Sequence, residues 1–530
     1  MNREYKEKLS RQIEKNYSEL EMRIMEDIVR RIKKTGEITS TADWQINRLR
    51  ILGNSTEDIE KMIKDALKAS YPEMFELYDK VIDWEYVRNK DVYEQINADF
   101  IPFEENRGLQ QITNALIQQT DADLRNITQS LGFYLDYGNG QKVLTPLAQV
   151  YQKYLDAACM DIVSGAFDYN SVLRRVVEQL TNSGLRKIDY ASGRANRVDV
   201  AARRAVMTGI TQLTGKISDM NAEKLGTEYF EVAWHAGARP THAVWQGRVW
   251  SREQLVTVCG LGTVTGLEGA NCYHERYPFI PGISERNWTD EWLEEQNQKE
   301  NTPKEFKGKQ YTVYGAKQRQ RQMETAMRAQ REKVQLLKDG GADPEEITVA
   351  QAKYQGHLNE YAKFSKKMGL QQERERIYYD RRGRVALSND KQKEIAAHLE
   401  SMYNKGDLLK NADLYEKDVA LRQKIKTGQI STDIETGKQG KHIKGHNNYI
   451  PGRSYLTVSE SEIRDLVNKY AGTGRMRRDS ADRWAHKEAA VADKIIGVVV
   501  DPVTGKETET RKFIIHYSKK GVHIVPSREE

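Results

Sequence analysis

Most of the chain follows a helical rhythm of apolar residues, and two stretches break it. Leu20, Ile24, Ile28 and Ile32 recur every fourth residue, with Met25 and Val29 widening the stripe. That spacing predicts an amphipathic helix with one buried face. Ser55 stands ahead of Asp58 and of Ile59, Met62, Ile63, Ala66 and Leu67, an N-cap followed by a second such helix. The pattern holds to about residue 228. Residues 229–234 then read as a strand, and glycines at 237, 247, 260, 262, 266 and 269 follow, interleaved with aromatic, His and Cys residues. This predicts a small loop-rich α+β unit over 229–300. The helical rhythm returns over 301–436, where Met323, Met327, Val334 and Leu337 share a face and residues 339–344 separate two helices. Residues 371–436 are charged and weakly patterned, and read as a connector with short helices.

Residues 437–530 read as a compact domain of a different kind. Ser459 and Glu462 form a capping box ahead of Ile463, Leu466, Val467 and Tyr470, and Gly472 closes that helix. Strands are predicted over 495–500, 510–518 and 522–525, with turns at 501–505 and 519–521. The fold class is therefore mainly α in the N-terminal and middle regions, with the loop-rich unit inserted. The C-terminal domain is α+β, an antiparallel meander beside a helix.

Charge sharpens this division. The chain carries 83 Lys and Arg against 77 Asp and Glu, a net charge of +6. Residues 437–530 hold 18 basic and 12 acidic residues, so the whole surplus lies there. His442, His446, His486, His516 and His523 lie there too, five of the ten histidines. A basic, histidine-rich domain favours a polyanionic partner such as RNA or DNA. The alternative is a moderately basic fold with solvated lysines. An earlier cluster, Arg186, Lys187, Arg194, Arg197, Arg203 and Arg204, reads as a solvated face, with DNA or an acidic partner as the alternative. No run of about 18 apolar residues occurs, so no membrane partner is expected. The first residues carry no apolar signal segment. Three cysteines make no disulfide framework, which fits synthesis in a reducing compartment.

Two constellations carry candidate chemistry. In the first, His235, Arg239, Pro240, His242, Trp245 and Gly247 precede Cys259, Cys272 and His274. Zinc at His242, Cys259, Cys272 and His274 is one reading, and glycine turns, a buried Cys and hydrogen-bonded histidines are the other. The spacing contains no CxxC pair, so no metal and no cofactor is expected. This stretch (EVAWHAGARPTHAVWQGRVW, then VCGLG, GLEGANCYHE and PFIPGISER) resembles phage minor capsid protein 2, a family related to MuF-type head-morphogenesis proteins. SLGFY and SGLRKIDYASGRANRVDVAARRAVMTGITQL upstream extend the resemblance over roughly residues 1–300. Arg239, His242, Gly247 and Cys272 match the family's motif core, although Cys272-Tyr273-His274 stands where many relatives carry a CxC pair. The resemblance implies a chain made in the bacterial cytoplasm and housed in the phage head. It implies the portal protein, the capsid and packaged DNA as partners, and no enzyme in this region.

The second constellation runs through Lys441, His442, Arg453 and the ending IHYSKKGVHIVP. It resembles the bacterial polymorphic toxin type 50 domain, a predicted ribonuclease of the barnase–EndoU–RelE class. The resemblance implies RNA as substrate and a cognate immunity protein. The residues fit that chemistry. Metal-free RNA cleavage needs a base, an acid and cations around the phosphate. His516 and Ser518 share one strand face and His523 can lie beside them, with His442 arriving from the N-terminal segment. These four are the catalytic candidates. Lys441, Arg453, Lys519 and Lys520 are the nucleic-acid-binding candidates. The domains expected are thus a helical head-protein region (1–228), the motif unit (229–300), the charged connector (301–436) and the toxin-like RNase domain (437–530). The alternative is a purely structural virion protein whose basic tail binds DNA or a capsid partner without catalysis.

Overall fold

A computed structural model of the chain describes residues 3–38, 48, 51–53, 55–90, 93, 99–189, 193–378, 383–403 and 406–528. Its main helices are α1 (Arg3–Gly36), α2 (Ser55–Glu85), α3 (Arg107–Gln129), α4 (Tyr169–Ser183), α5 (Val198–Lys224), α6 (Pro240–Ala243), α7 (Val313–Gly340), α8 (Pro344–Met368), α9 (Asn389–Tyr403), α10 (Leu408–Lys426) and α11 (Glu460–Tyr470). The chain divides into two compact units. The first comprises Met1–Ser164, Val172–Asp343 and His357–Val385; the second comprises Gly165–Ser171, Pro344–Gly356 and Ala386–Glu530.

In the first unit, α1 packs on α2, α5 and α7, and α5 packs on α3. The stripe Ile24, Ile28 and Ile32 is fully buried, as its spacing predicts. Helix starts follow the capping logic. Asn106 accepts from the Leu109 amide at the start of α3, and Thr312 from the Gly315 amide at the start of α7. Two small sheets flank the helices. One has the order β2-β1-β3-β4, from β1 (Leu131–Asp136), β2 (Lys142–Pro146), β3 (Arg186–Asp189) and β4 (Arg194–Arg197). The other has the order β6-β5-β7, from β5 (Tyr229–Val232), β6 (Val249–Ser251) and β7 (Arg276–Phe279). A short hairpin, β8 (Lys304–Phe306) and β9 (Lys309–Tyr311), precedes α7.

Two members of the basic cluster, Arg197 and Arg203, do not sit on the solvated face that its composition predicts, whereas Arg194 is exposed. Arg197 is buried and donates to Glu21 of α1 at 2.8 Å and to Glu332 of α7 at 3.1 Å. Arg203 bonds Glu14 at 3.2 Å. Sequence alone does not show this, because the carboxylates lie more than a hundred residues away on either side.

The second unit opens with a helical layer. Val349, Ala352, Leu387, Ile395, Leu399, Ala412 and Tyr415 form one cluster under α9 and α10. Lys353 bridges Asp413 and Glu416 at 2.7 Å each. α10 runs for 19 residues, longer than the weak pattern suggested, because this cluster and not propensity holds it. Beyond it stand β10 (Tyr455–Leu456), β11 (Arg475–Arg478), β12 (Trp484–Val491), β13 (Gly497–Val500), β14 (Glu507–Thr510), β15 (Lys512–Ser518) and β16 (Gly521–Pro526). They form two antiparallel sheets, β10-β13-β14 and β11-β12-β15-β16. The strand expected over 510–518 is split at Arg511. Thr510 pairs Gly497 in one sheet, and Lys512 starts the pairing with β12 in the other. α11, with both arms of the predicted capping box in place, lays Ile463, Leu466 and Val467 against Phe513, Ile515, Tyr517, Val522 and Ile524. Ile425 of α10 joins this core, with Leu421, Ile430 and Ile434 packed around it.

Candidate functional site

The β15–β16 hairpin builds the clearest constellation. Its register pairs His516 directly with His523, and their rings stack with centroids 4.7 Å apart. The alternation of β15 explains the placement: Phe513, Ile515 and Tyr517 fill the core, so His516 and Ser518 take the other face. Gln439 docks the next element. Its side chain donates to the Ile524 carbonyl at 3.1 Å and accepts from the Ile524 amide at 2.8 Å. That clasp sets the short turn Gly440–His442 beside β16, where the His442 ring stacks 6.2 Å from His523. The Ser454 carbonyl holds His442 Nδ1 at 2.7 Å. Three imidazoles thus form a row, His442–His523–His516.

Burial, then the neighbouring imidazole, pushes His516 down to about 4. Burial, then His442 and Lys438, does the same to His523, also to about 4. His442 is lowered too, mainly by burial. His523 Nδ1 is buried without a hydrogen-bond partner among the described residues. A buried imidazole nitrogen left unpaired on a strand is the kind of cost that functional sites retain.

The row also has a consequence for stability. Both imidazoles titrate near 6.5 when unfolded and near 4 when folded. The unfolded chain therefore binds more protons between those values, and the hairpin loses stability as pH falls from about 6.5 to about 4. Amide hydrogen exchange, corrected for its intrinsic rate, should show protection across β15 and β16 falling in that window. A His516→Gln/His523→Gln variant should flatten it. An unchanged slope would place the pH dependence elsewhere.

The other predicted residues surround the row unevenly. Lys441 and Arg453 act electrostatically on His442. Lys519 and Lys520 are exposed at the hairpin tip. Ser518 closes that hairpin, and its hydroxyl lies 3.0 Å from Glu435 and 2.9 Å from the Gly521 carbonyl. Gly521 has φ +129, and a Cβ there would sit 2.2 Å from the Asp433 carbonyl that the Val522 amide needs. Sequence reasoning missed Glu435 and Lys487, and gave Lys438 no role. Glu435 and Lys438 form an ion pair at 2.9 Å beside His523, and Lys487 pairs across from His516. Glu435 precedes the charge shift at 437, and Lys487 lies on a strand that composition does not mark.

The first constellation assembles in the other unit. Pro240 starts α6, which places His242 one turn in. Glu268 and Asn271 both have left-handed φ, at +60 and +58, and turn the chain back so that Cys272 and His274 face His242. Gly269 is required inside that turn, since a Cβ would meet the Thr263 and Val264 carbonyls at 2.5 Å. Arg239 ties the turn down through the Ala270 carbonyl at 2.8 Å. Gly247, at φ +72, has no room for a Cβ beside Leu293. His242, Cys272 and His274 are buried with their donor atoms within 4.8 Å of one another. Cys259 is not in that cluster; it packs in the apolar core, where burial pushes its thiol up to about 12. Burial lowers His242, and lowers His274 far below the usual histidine range. Burial raises Cys272, against amide N–H bonds from His274 and Glu268.

Among the described residues no helix is long and apolar enough to cross a membrane. No curated protein matches the chain. The family model for phage minor capsid protein 2 matches residues 1–363, and the model for bacterial toxin 50 matches residues 434–526. The second match starts next to Asp433 and Glu435, whose backbones pair with Val522. With 363 of 530 residues covered, and a toxin domain joined to them, the chain belongs to the phage minor capsid protein 2 family and carries a bacterial toxin 50 domain.

Proposed function

We propose that the chain is a portal-associated minor component of the phage head, encoded by a phage or prophage. Its toxin domain is a metal-independent ribonuclease, restrained in the producing cell by a cognate immunity protein. The observation that carries the enzymatic reading is the row His442–His523–His516, with His523 Nδ1 unpaired, inside a domain with the surplus of positive charge. One imidazole of the stacked pair takes the proton of an RNA 2′-hydroxyl. The freed oxygen attacks the adjacent phosphorus, the bond to the 5′-oxygen breaks, and the other imidazole, as imidazolium, protonates that leaving oxygen. A bound phosphate anion raises both histidines from their low resting values, because an opposite charge favours the protonated form. Lys441, Arg453 and Lys438 supply positive charge around the phosphate, with Lys519 and Lys520 further along the strand. Ser518 acts as a positioning residue through Glu435. DNA binding without catalysis is the competing reading, and the RNA assay set out in the Discussion separates the two.

The head assignment rests on the family match over the first 363 residues. Particles from an induced phage should contain the chain in a small minority of copies relative to the major capsid protein. Pull-down of the portal protein should recover it. Its absence from purified particles would sink the assignment.

A further inference from the structure

The cluster His242, Cys272 and His274 has the dimensions of a coordination site. His242 Nδ1 lies 3.4 Å from His274 Nδ1, and Cys272 Sγ lies 3.9 and 3.5 Å from the same two atoms. A tetrahedral zinc ion, with bonds of about 2.0–2.1 Å to nitrogen and about 2.3 Å to sulfur, sets its ligands about 3.4 Å apart (N to N) and about 3.6 Å apart (N to S). The N–N edge and the Cys272–His274 edge match, and the Cys272–His242 edge, at 3.9 Å, is slightly longer.

The tautomers point the same way. His242 Nε2 lies 2.8 Å from the Thr265 carbonyl, which can only accept, so the proton sits on Nε2. His274 Nε2 lies 2.9 Å from Gln246 Oε1. That oxygen also accepts from the His235 amide at 3.1 Å, which fixes the Gln246 side chain as the acceptor and His274 Nε2 as a donor. Both Nδ1 atoms are therefore bare, and they face each other in a buried site. The Cys272 thiol has one proton and can satisfy only one of them. A cation shared by all three removes the repulsion. Ring nitrogens whose partners donate to carbonyl oxygens are also what outer-shell support of a metal looks like.

We propose that His242 Nδ1, His274 Nδ1 and Cys272 Sγ bind one zinc ion, with water as the fourth ligand. One thiolate and two imidazoles suit zinc among the common divalent ions. His242 and His274 also line a cavity of about 410 Å³, together with His235, Arg239, Asn271 and Tyr273, and this supplies the water. The ion would tie α6 to the chain just before β7, closing the glycine-rich loop between them. Cys259 takes no part.

The test is metal content and cobalt substitution on the full-length chain. Zinc should be found at about one equivalent after extensive dialysis. Cobalt loaded into the stripped protein should give a thiolate-to-metal charge-transfer band and the intense visible bands of a tetrahedral site. Cys272→Ser should abolish the charge-transfer band, and Cys259→Ala should keep both the band and the zinc. Gln246→Ala, which leaves all three ligands in place, should weaken zinc binding about 10- to 100-fold. The proposal is overturned if wild-type protein loses its zinc on dialysis, if cobalt gives only weak octahedral bands, or if Cys259→Ala removes the metal as fully as Cys272→Ser. The wild-type cobalt spectrum decides even if a variant fails to fold.

Discussion

His516→Ala and His523→Ala should each reduce RNA cleavage by about 100- to 10,000-fold, the usual contribution of a positioned acid or base. The two rings stack on adjacent strands and point away from the core that Phe513, Ile515 and Ile524 build, so their removal opens no cavity there. The full-length chain is the right material, because Ile425 and Leu421 of α10 belong to the same core. Wild-type protein should cleave RNA in the presence of EDTA and yield ends in which the 2′-oxygen has bonded to phosphorus. Cleavage needs one imidazole neutral and the other protonated, and the free pair titrates near 4. The optimum of kcat/KM should therefore lie on the acidic side of 6.5, while the kcat limb moves to higher pH because bound phosphate stabilises the imidazolium. Ser518→Ala should cost less than about tenfold, since a positioning residue contributes no proton transfer. Inert wild-type protein, or activity abolished by EDTA, would refute the metal-free ribonuclease.

Arg197→Ala should be the most damaging single substitution in the first unit. Its guanidinium reaches Glu21 at 2.8 Å and Glu332 at 3.1 Å, with Asp199 at 3.8 Å, and all four side chains are buried. Burial opposes the charge of Arg197, but these three carboxylates more than offset it and hold the group protonated. Glu21 also accepts from the Leu185 amide at 2.6 Å, so the pair joins α1, α7 and the start of β3. Truncation leaves carboxylates buried without this cation, and breaking such a pair from one side costs roughly 3–5 kcal/mol. Burial already raises Glu21 above the usual carboxylate range. Without Arg197 it rises further, so the deficit should grow as pH increases from 5 to 8 and be smallest where Glu21 takes up a proton. Denaturant melts at both pH values check this. A loss below about 1 kcal/mol at pH 8 would show that the network is dispensable.

What composition and periodicity marked well were features with local causes. The stripe through Ile24, Ile28 and Ile32, the capping box at Ser459 and Glu462, and the alternation of β15 each depend on neighbours within a turn or a strand. Motif order alone carries both family resemblances. Strand β12 leaves no clear mark in the sequence, because Trp484–Val491 mixes alanines with charged residues and is held by β11 and β15, not by its own propensity.

By itself, then, the sequence determined the helical and strand-rich regions, the surplus of charge after residue 437, and which histidines share a face with Ser518. Only the tertiary structure decided three other things. It set His442 in line with His523 through the Gln439 clasp, brought Glu435 and Lys438 to their side, and left Cys259 outside the cluster of His242, Cys272 and His274. It also turned a basic run that looked solvated into the buried anchor at Arg197. The physical reason is the same in each case. Helix and strand periods report only on which side a residue faces, whereas a charge pair, an imidazole row or a ligand triangle depends on which distant segment folds onto that side.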